Sequence, residues 1–378
     1  MLTFRHVLPL FGIGALLAAA CNDDEALAEW CVIKHHEALP QEIPGYHQAI
    51  AVDGEGRVHV AAPSLHIVRE PGGSWSREEE AFGASYFGEV ALAASGPGVV
   101  VAHTADGLRV ARGASGAWTT IFDRSYEQCS GHPYVERVEA AEDGAVLLAS
   151  SEGLLRIREG ADPEPLPYAQ AWTVDGAGLL TCATGDDLRL TDGSGEVTLP
   201  HAFSRVLGLA TSPQGGAAVL LGRDDEGGVW LVRRDQKGAW DTDPTQLAAW
   251  TDIECPDDPQ IGARCSARHT RADVGNVLSA GGSLLAFVVL KHGRADLTWG
   301  CAPVIGPLEY CYQSWQGDWT YERELWMGDL SAKEPALRRV KLPEGWDMKE
   351  ERPVAAPDKD GSVHVLFGSS YARIDCPN

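Results

Sequence analysis

Nine cysteines are the side chains of this sequence with the most chemistry in reach: Cys21, Cys31, Cys129, Cys182, Cys255, Cys265, Cys301, Cys311 and Cys376. A thiol can take a lipid, close a disulfide or bind a metal. Cys21 follows Ala18-Ala19-Ala20 at the end of an apolar run from Val7 to Ala20, behind a short polar stretch that begins at Arg5. Such a run is too short to span a bilayer and suits the hydrophobic part of a secretion signal. Small residues followed by Cys resemble the bacterial lipoprotein signal, in which that Cys carries the lipid. Leu17 stands one position earlier than the usual Leu, and plain secretory cleavage after Ala20 also satisfies the small-residue rule. Setting Cys21 aside leaves eight cysteines, an even set that suggests disulfides in an exported chain. Cys255-Cys265 and Cys301-Cys311 each enclose nine residues and read as local staples, because zinc ligands are spaced more closely. Cys129-Cys182 is the pair left by elimination.

The second chemical feature is a run of aromatics: Trp299, Tyr310, Tyr312, Trp315, Trp319 and Tyr321. Rigid faces with polar edges suit a protein or glycan ligand, although a mini-core under a long loop would use the same residues. His35 and His36 are adjacent and would face opposite ways in a strand, so they cannot share an ion. No G-x-S-x-G, H-E-x-x-H or P-loop pattern occurs. The formal net charge is −23, which repels phosphate backbones and argues against nucleic acid as a partner.

These residues sit in a repeating chain. Residues 51–60, AVDGEGRVHV, and 356–365, APDKDGSVHV, agree at six of ten positions. Each reads as two strands around an Asp/Gly turn. Weaker copies lie at 90–103, 138–150, 172–183, 207–222 and 277–290, making seven. A third strand follows each copy, as in LHIVRE, GLRVAR and YARIDC, and several have a fourth, such as 74–80 and 117–123. The turn glycines Gly56, Gly98, Gly144 and Gly178 are 42, 46 and 34 residues apart. The pattern describes an all-β fold, a seven-bladed β-propeller of four-stranded antiparallel blades. Ring closure removes the open sheet edges.

The seventh repeat has no fourth strand after it. EWCVIKHH at 29–36 alternates and has no blade of its own, so an N-terminal strand is expected to complete the last blade. Cys31 would then stand beside Cys376. In the loop-entropy model such a bridge contributes about 5 kcal/mol. The expected organisation is a signal peptide at 1–20, a lipid-anchored tether at 21–28 and a propeller at 29–378. Disulfide-stapled insertions are expected at 241–272 and 291–323. Strand direction puts both insertions, and the segment 124–135, on one face. The Asp/Gly turns fall on the opposite face and read as structural, and the matching His59 and His364 read as duplicated strand positions.

The D-x-x-G before an alternating strand resembles the repeats of NHL, gluconolactonase-like and Asp-box propellers. Gluconolactonase-like enzymes hold a divalent cation at the central channel with carboxylate and amide ligands. Residues entering each first strand could ring the mouth of that channel: His47, Glu89, Glu136, Arg205, Asn276 and Arg352. Glu89, Glu136 and Asn276 have the right ligand types. The leading expectation is a cell-envelope, lipid-anchored protein that binds a protein or glycan ligand on its loop-rich face, without a cofactor or catalytic residues. It would touch the membrane only through the anchor. The alternatives are a secreted soluble form, a lactonase- or lyase-type hydrolytic enzyme with a cation such as Ca in the channel, and a structural subunit of a cell-surface complex.

Overall fold

The computed structural model describes residues 31–375 except 41–47, 63–64, 79–87, 105–106, 115–116, 130–131, 168, 176–177, 185–186, 194, 201–202, 223–227, 249–250, 255–263, 306–307, 317–321, 343–345 and 347–352. Seven antiparallel sheets follow one another around a central channel. Blade 1 is Ala49–Val52, Val58–Ala62, Leu65–Arg69 and Trp75–Arg77. Blade 2 runs from Val90–Ser95 through Gly98–Thr104 and Gly107–Ala114 to Ala117–Ser125. Blades 3 and 4 begin at Val135–Ala140 and Ala171–Asp175, and blade 5 at Arg205–Thr211.

Blade 7 closes as the alternation of 29–36 implies. Its three C-terminal strands, Val354–Pro357, Ser362–Phe367 and Ser370–Asp375, are completed by Val32–Ala38. The register runs from Val32↔Asp375 to Ala38↔Ser370 with one bulge between Ile33 and His35. Glu37 on this strand accepts hydrogen bonds from Arg69 Nε at 2.7 Å and Trp75 Nε1 at 3.0 Å, which ties the closing strand to blade 1 as well.

Alternation decides the packing. One set of side chains from each blade meets its neighbour's, so apolar clusters lie between blades. Leu39, Ile50, Val60 and Ile67 pack with Leu366 and the fully buried Tyr371 between blades 1 and 7. Leu147, Ala149, Leu154 and Trp172 make a smaller cluster between blades 3 and 4.

The turns between first and second strands recur as a five-residue unit. Gly56 N donates to Asp53 O at 3.0 Å, Gly144 to Ala141 at 3.0 Å, Gly215 to Ser212 at 2.9 Å and Gly361 to Asp358 at 3.1 Å. Asp53 Oδ1 accepts the Glu55 and Arg57 amides at 2.9 Å each, so this carboxylate builds its own turn. Gly54 allows a close approach between turns: its N–H meets Gly96 O at 2.6 Å, where a Cβ would collide.

Blade 6 departs from its neighbours. Its core strands are the inner parts of Arg264–Ala280 and Ser283–Ile305, and the ladder runs unbroken from Ala280↔Ser283 to Val274↔Val288 across one bulge and on to Arg264↔Thr298. Thr251–Glu254 and Leu308–Gln316 pair with the outer ends. The two expected insertions are therefore one β-ribbon, not two separate loops. Residues 264–274 alone span roughly 35 Å at the rise of a strand. Thr245–Ala248, inside the span expected to be insertion, is the outer strand of blade 5.

Candidate functional site

The innermost strands wall the channel. Most are built from small apolar residues: AIAV at 49–52, VALAAS at 90–95 and VAAP at 354–357. They surround a cavity of about 440 Å³. Blade 3 breaks the pattern with VERVEA at 135–140. Arg137 and Glu139, two apart and so on one side of the strand, form an ion pair. Glu139 also accepts from Val174 N at 3.0 Å and Thr173 Oγ1 at 3.3 Å in blade 4. Burial pushes the Glu139 carboxyl above the ordinary carboxylate range, against the pull of the Arg137 charge. The Arg137 guanidinium lies 5.1 Å from the centre of the Trp172 ring, a cation–π distance.

A second cavity of about 540 Å³ opens among blades 3, 4 and 5, where first strands begin and second strands end. Glu136 and Arg137 line both cavities. Strand direction places this mouth and the blade 6 ribbon on the same face.

Of the six channel-mouth candidates, Glu136 lines the cavities. Glu89 is a brace instead: its carboxylate accepts the Val135 amide at 2.7 Å, and its own N–H donates to Thr104 Oγ1 at 2.9 Å, joining blades 2 and 3. Arg205 is half-buried at the start of blade 5's first strand, opposite Gly222. Asn276 falls in the bulge between Val274 and Val277. His47 and Arg352 lie outside the described residues. Among the described residues no group of three or more His, Cys, Asp or Glu could hold a metal ion.

The aromatic run divides. The register pairs Cys301↔Cys311, Trp299↔Gln313 and Leu297↔Trp315, alternating with Ala302↔Tyr310 and Gly300↔Tyr312. Paired positions share a face, so the Trp299 and Trp315 positions belong to one face of the ribbon and those of Tyr310 and Tyr312 to the other. Trp319 and Tyr321 lie outside the described residues. The expected Cys129-Cys182 bridge is corrected: both are free thiols. Cys129 packs against the cluster between blades 2 and 3, while Cys182 belongs to the cluster between blades 4 and 5. Burial pushes the Cys182 thiol up to about 12. Cys31 is disulfide-bonded. Cys21, Cys255 and Cys376 lie outside the described residues.

Two further clusters are buried in blades 1 and 7. In blade 1, Asp53 Oδ2 meets His59 Nε2 at 3.2 Å, His59 Nδ1 meets His66 Nε2 at 3.3 Å and His66 Nδ1 meets Glu78 Oε2 at 3.3 Å. Arg57 pairs with the same Asp53 at 2.7 Å. In blade 7, His364 Nδ1 meets the Tyr371 hydroxyl at 2.6 Å, and its Nε2 faces Ser362 Oγ at 3.4 Å and Asp358 Oδ2 at 3.5 Å. The matched histidines are thus core polar groups satisfied by turn carboxylates. Sequence reading missed their strand partners His66 and Tyr371, and it missed Arg137, Glu139 and Trp172. The visible signal for Arg137 and Glu139 was a pair of alternating charges in an inner strand whose counterparts are mostly Ala and Val.

The architecture defines the class: a seven-bladed β-propeller. Among solved structures, the chain is similar to the β-propeller domain of Cps50 (Swd1) from Myceliophteria thermophila, at 12% identity over 91% of this chain and 100% of that one, with a TM-score of 0.50. It is also similar to the WD40 β-propeller domain of Doa1, at 11% identity over 92% and 98% with a TM-score of 0.49. YCF48 bound to D1 peptide is matched at 11% identity over 91% and 95%, also with a TM-score of 0.49. Likeness at such identity speaks for the fold alone. No protein-family model matches the chain, and no curated protein does.

Proposed function

We propose that this chain is exported, held at the membrane by a lipid on Cys21 and a short tether to Ala28, and binds a protein through the face from which blade 6 extends. The observation that carries the binding reading is the continuous ladder that lengthens blade 6 into a ribbon beyond its neighbours. Long excursions from a compact domain are usually functional, and a ribbon of paired strands presents a surface without first having to order itself. The channel below favours a protein over a glycan. Its walls are mainly Ala, Val, Leu and Ile, which cannot pair the dense hydroxyls of a sugar.

Bridges Cys31-Cys376, Cys301-Cys311 and Cys255-Cys265 belong to the same reading. The closing strand pairs Val32 with Asp375, the sequence neighbours of Cys31 and Cys376, which supports the first of these. Cys301 and Cys311 already hold facing positions, and facing Cα atoms in an antiparallel pair are about 4.5–5.5 Å apart, within disulfide reach.

Photo-crosslinking groups placed at Tyr310 and Trp299, on opposite faces of the ribbon, test the binding reading in cells. A discrete protein adduct from one face is expected. Adducts from neither face, with a control position in blade 1 giving the same pattern, overturn it. The mass of the mature protein tests the anchor: a lipid adduct lost in Cys21→Ser is expected, and an unmodified mature chain removes it.

A further inference from the structure

The cavity among blades 3, 4 and 5 has features the protein-binding ribbon does not explain. Its mouth is made by an irregularity in the strand ladder. Val135 pairs with Ser150 and Arg137 with Ala149, so Glu136 is the additional residue of a β-bulge. Across the cavity Val206 pairs with Leu221 and Gly208 with Leu220, so Leu207 is the additional residue of a second bulge. Bulges re-aim a side chain that regular pairing would point elsewhere. Both bulged residues line the cavity.

Among the described residues two charged side chains, Glu136 and Arg137, line this cavity, and Glu139, the partner of Arg137, lines the channel. Arg137 and Glu139 neutralise each other, and Trp172 covers the Arg137 guanidinium. Glu136 is exposed and makes no hydrogen bond or ion pair among the described residues. The site therefore carries one uncompensated negative charge at its rim. The rest of the lining mixes apolar residues, with Ala171 and Val206 half-buried, and the polar Ser150, Ser151 and Gln170. Tyr134, two residues before Glu136, is an aromatic left 45% exposed at the same mouth. A carboxylate at the rim, an aromatic face beside it and apolar wall positions beyond match a cation carried on an aliphatic stem. The net charge of −23 steers such a group towards the protein.

We propose that this cavity binds an organic cation on an aliphatic stem, namely an arginine or lysine side chain presented by a protein. Glu136 supplies the counter-charge, Tyr134 flanks the cation, and the half-buried Ala171 and Val206 take the methylenes. The site stands whether or not the blade 6 ribbon contacts a partner.

The test uses the purified full chain and three acetylated, amidated pentapeptides with alanines around a central arginine, lysine or citrulline, titrated calorimetrically at low salt. Citrulline keeps the shape of arginine without its charge. At least one basic peptide is expected to bind about tenfold more tightly than the citrulline peptide, and Glu136→Gln should remove about that factor. Comparing arginine with lysine tells which cation the site prefers. Glu136→Gln should melt like the parent, because the carboxylate is exposed and unpaired, so lost binding reports the site and not the fold. A chain lacking the outer ribbon should bind the basic peptide unchanged, which separates this site from the ribbon. Equal affinity for the citrulline peptide, unchanged affinity in Glu136→Gln, or no binding of either basic peptide overturns the proposal.

Discussion

Blades 1 and 7 stand side by side with nearly the same strand sequence, yet their buried polar centres differ. Both hang a histidine from a turn aspartate, His59 from Asp53 and His364 from Asp358. The third strand then supplies His66 in blade 1 and Tyr371 in blade 7. A phenol ends the blade 7 network with one hydroxyl. The imidazole of His66 passes it on to Glu78. Blade 1 therefore strings two imidazoles between two carboxylates, where blade 7 has one imidazole between a carboxylate and a phenol. A duplicated hairpin preserves the turn and its first partner, while the partner from the next strand is free to diverge.

The severest way to break this comparison is Asp53→Ala. It leaves Arg57 and His59 buried beside a missing carboxylate, and denaturant unfolding should show a loss of about 3–5 kcal/mol. Asp358→Ala, whose contact is longer, should lose roughly half as much. Equal losses would mean that the two centres are interchangeable.

Acid comes next. Burial depresses His364 to about 4 and lowers His59 as well. The unfolded chain takes up these protons near 6.5, so stability is full above that pH and is lost as pH falls towards about 4. The melting temperature should drop on the order of 5 °C across that window, and less in His364→Gln. A wild-type curve flat from 6.5 to 4 would contradict the buried neutral imidazole.

Swapping the third-strand partners sharpens the contrast. His66→Tyr removes the link to Glu78 and should cost about 1–2 kcal/mol, while Tyr371→Phe should cost about 1 kcal/mol. The smallest effect belongs to Lys359, whose exposed Nζ donates to Gly54 O at 2.7 Å between the two turns. Lys359→Ala should shift unfolding by only a few tenths of a kcal/mol, and a larger loss would show that the turns clasp the blades together.

Blade number and ring closure were legible because a strand period of two and D-x-x-G turns are local signals that survive divergence. The closing strand was legible because seven copies of the hairpin left one alternating segment unclaimed. The ribbon was not legible as a ribbon: its halves lie on either side of blade 6's own hairpin, and the pairing that fuses them is between residues distant in the chain. Pairing Cys129 with Cys182 by elimination failed because it assumed that every cysteine is bonded, whereas Cys182 is small and apolar enough to serve as core. Glu136 was singled out by its position at the start of a strand, and it does line both cavities. Arg137 and Glu139 were passed over because alternating charges in a strand ordinarily mean a solvated face, and only the ring turns that face into a cavity wall.

Pairing Val32–Ala38 with Ser370–Asp375 also sets a timetable. Val32–Ala38 leaves the ribosome long before the strand it pairs with, so no nascent chain that stops short of Ser370–Asp375 can latch the ring. Until then blade 7's place is vacant and blade 1's flank is uncovered. Such long-range pairing folds slowly and leaves strand edges open to stray association while it waits.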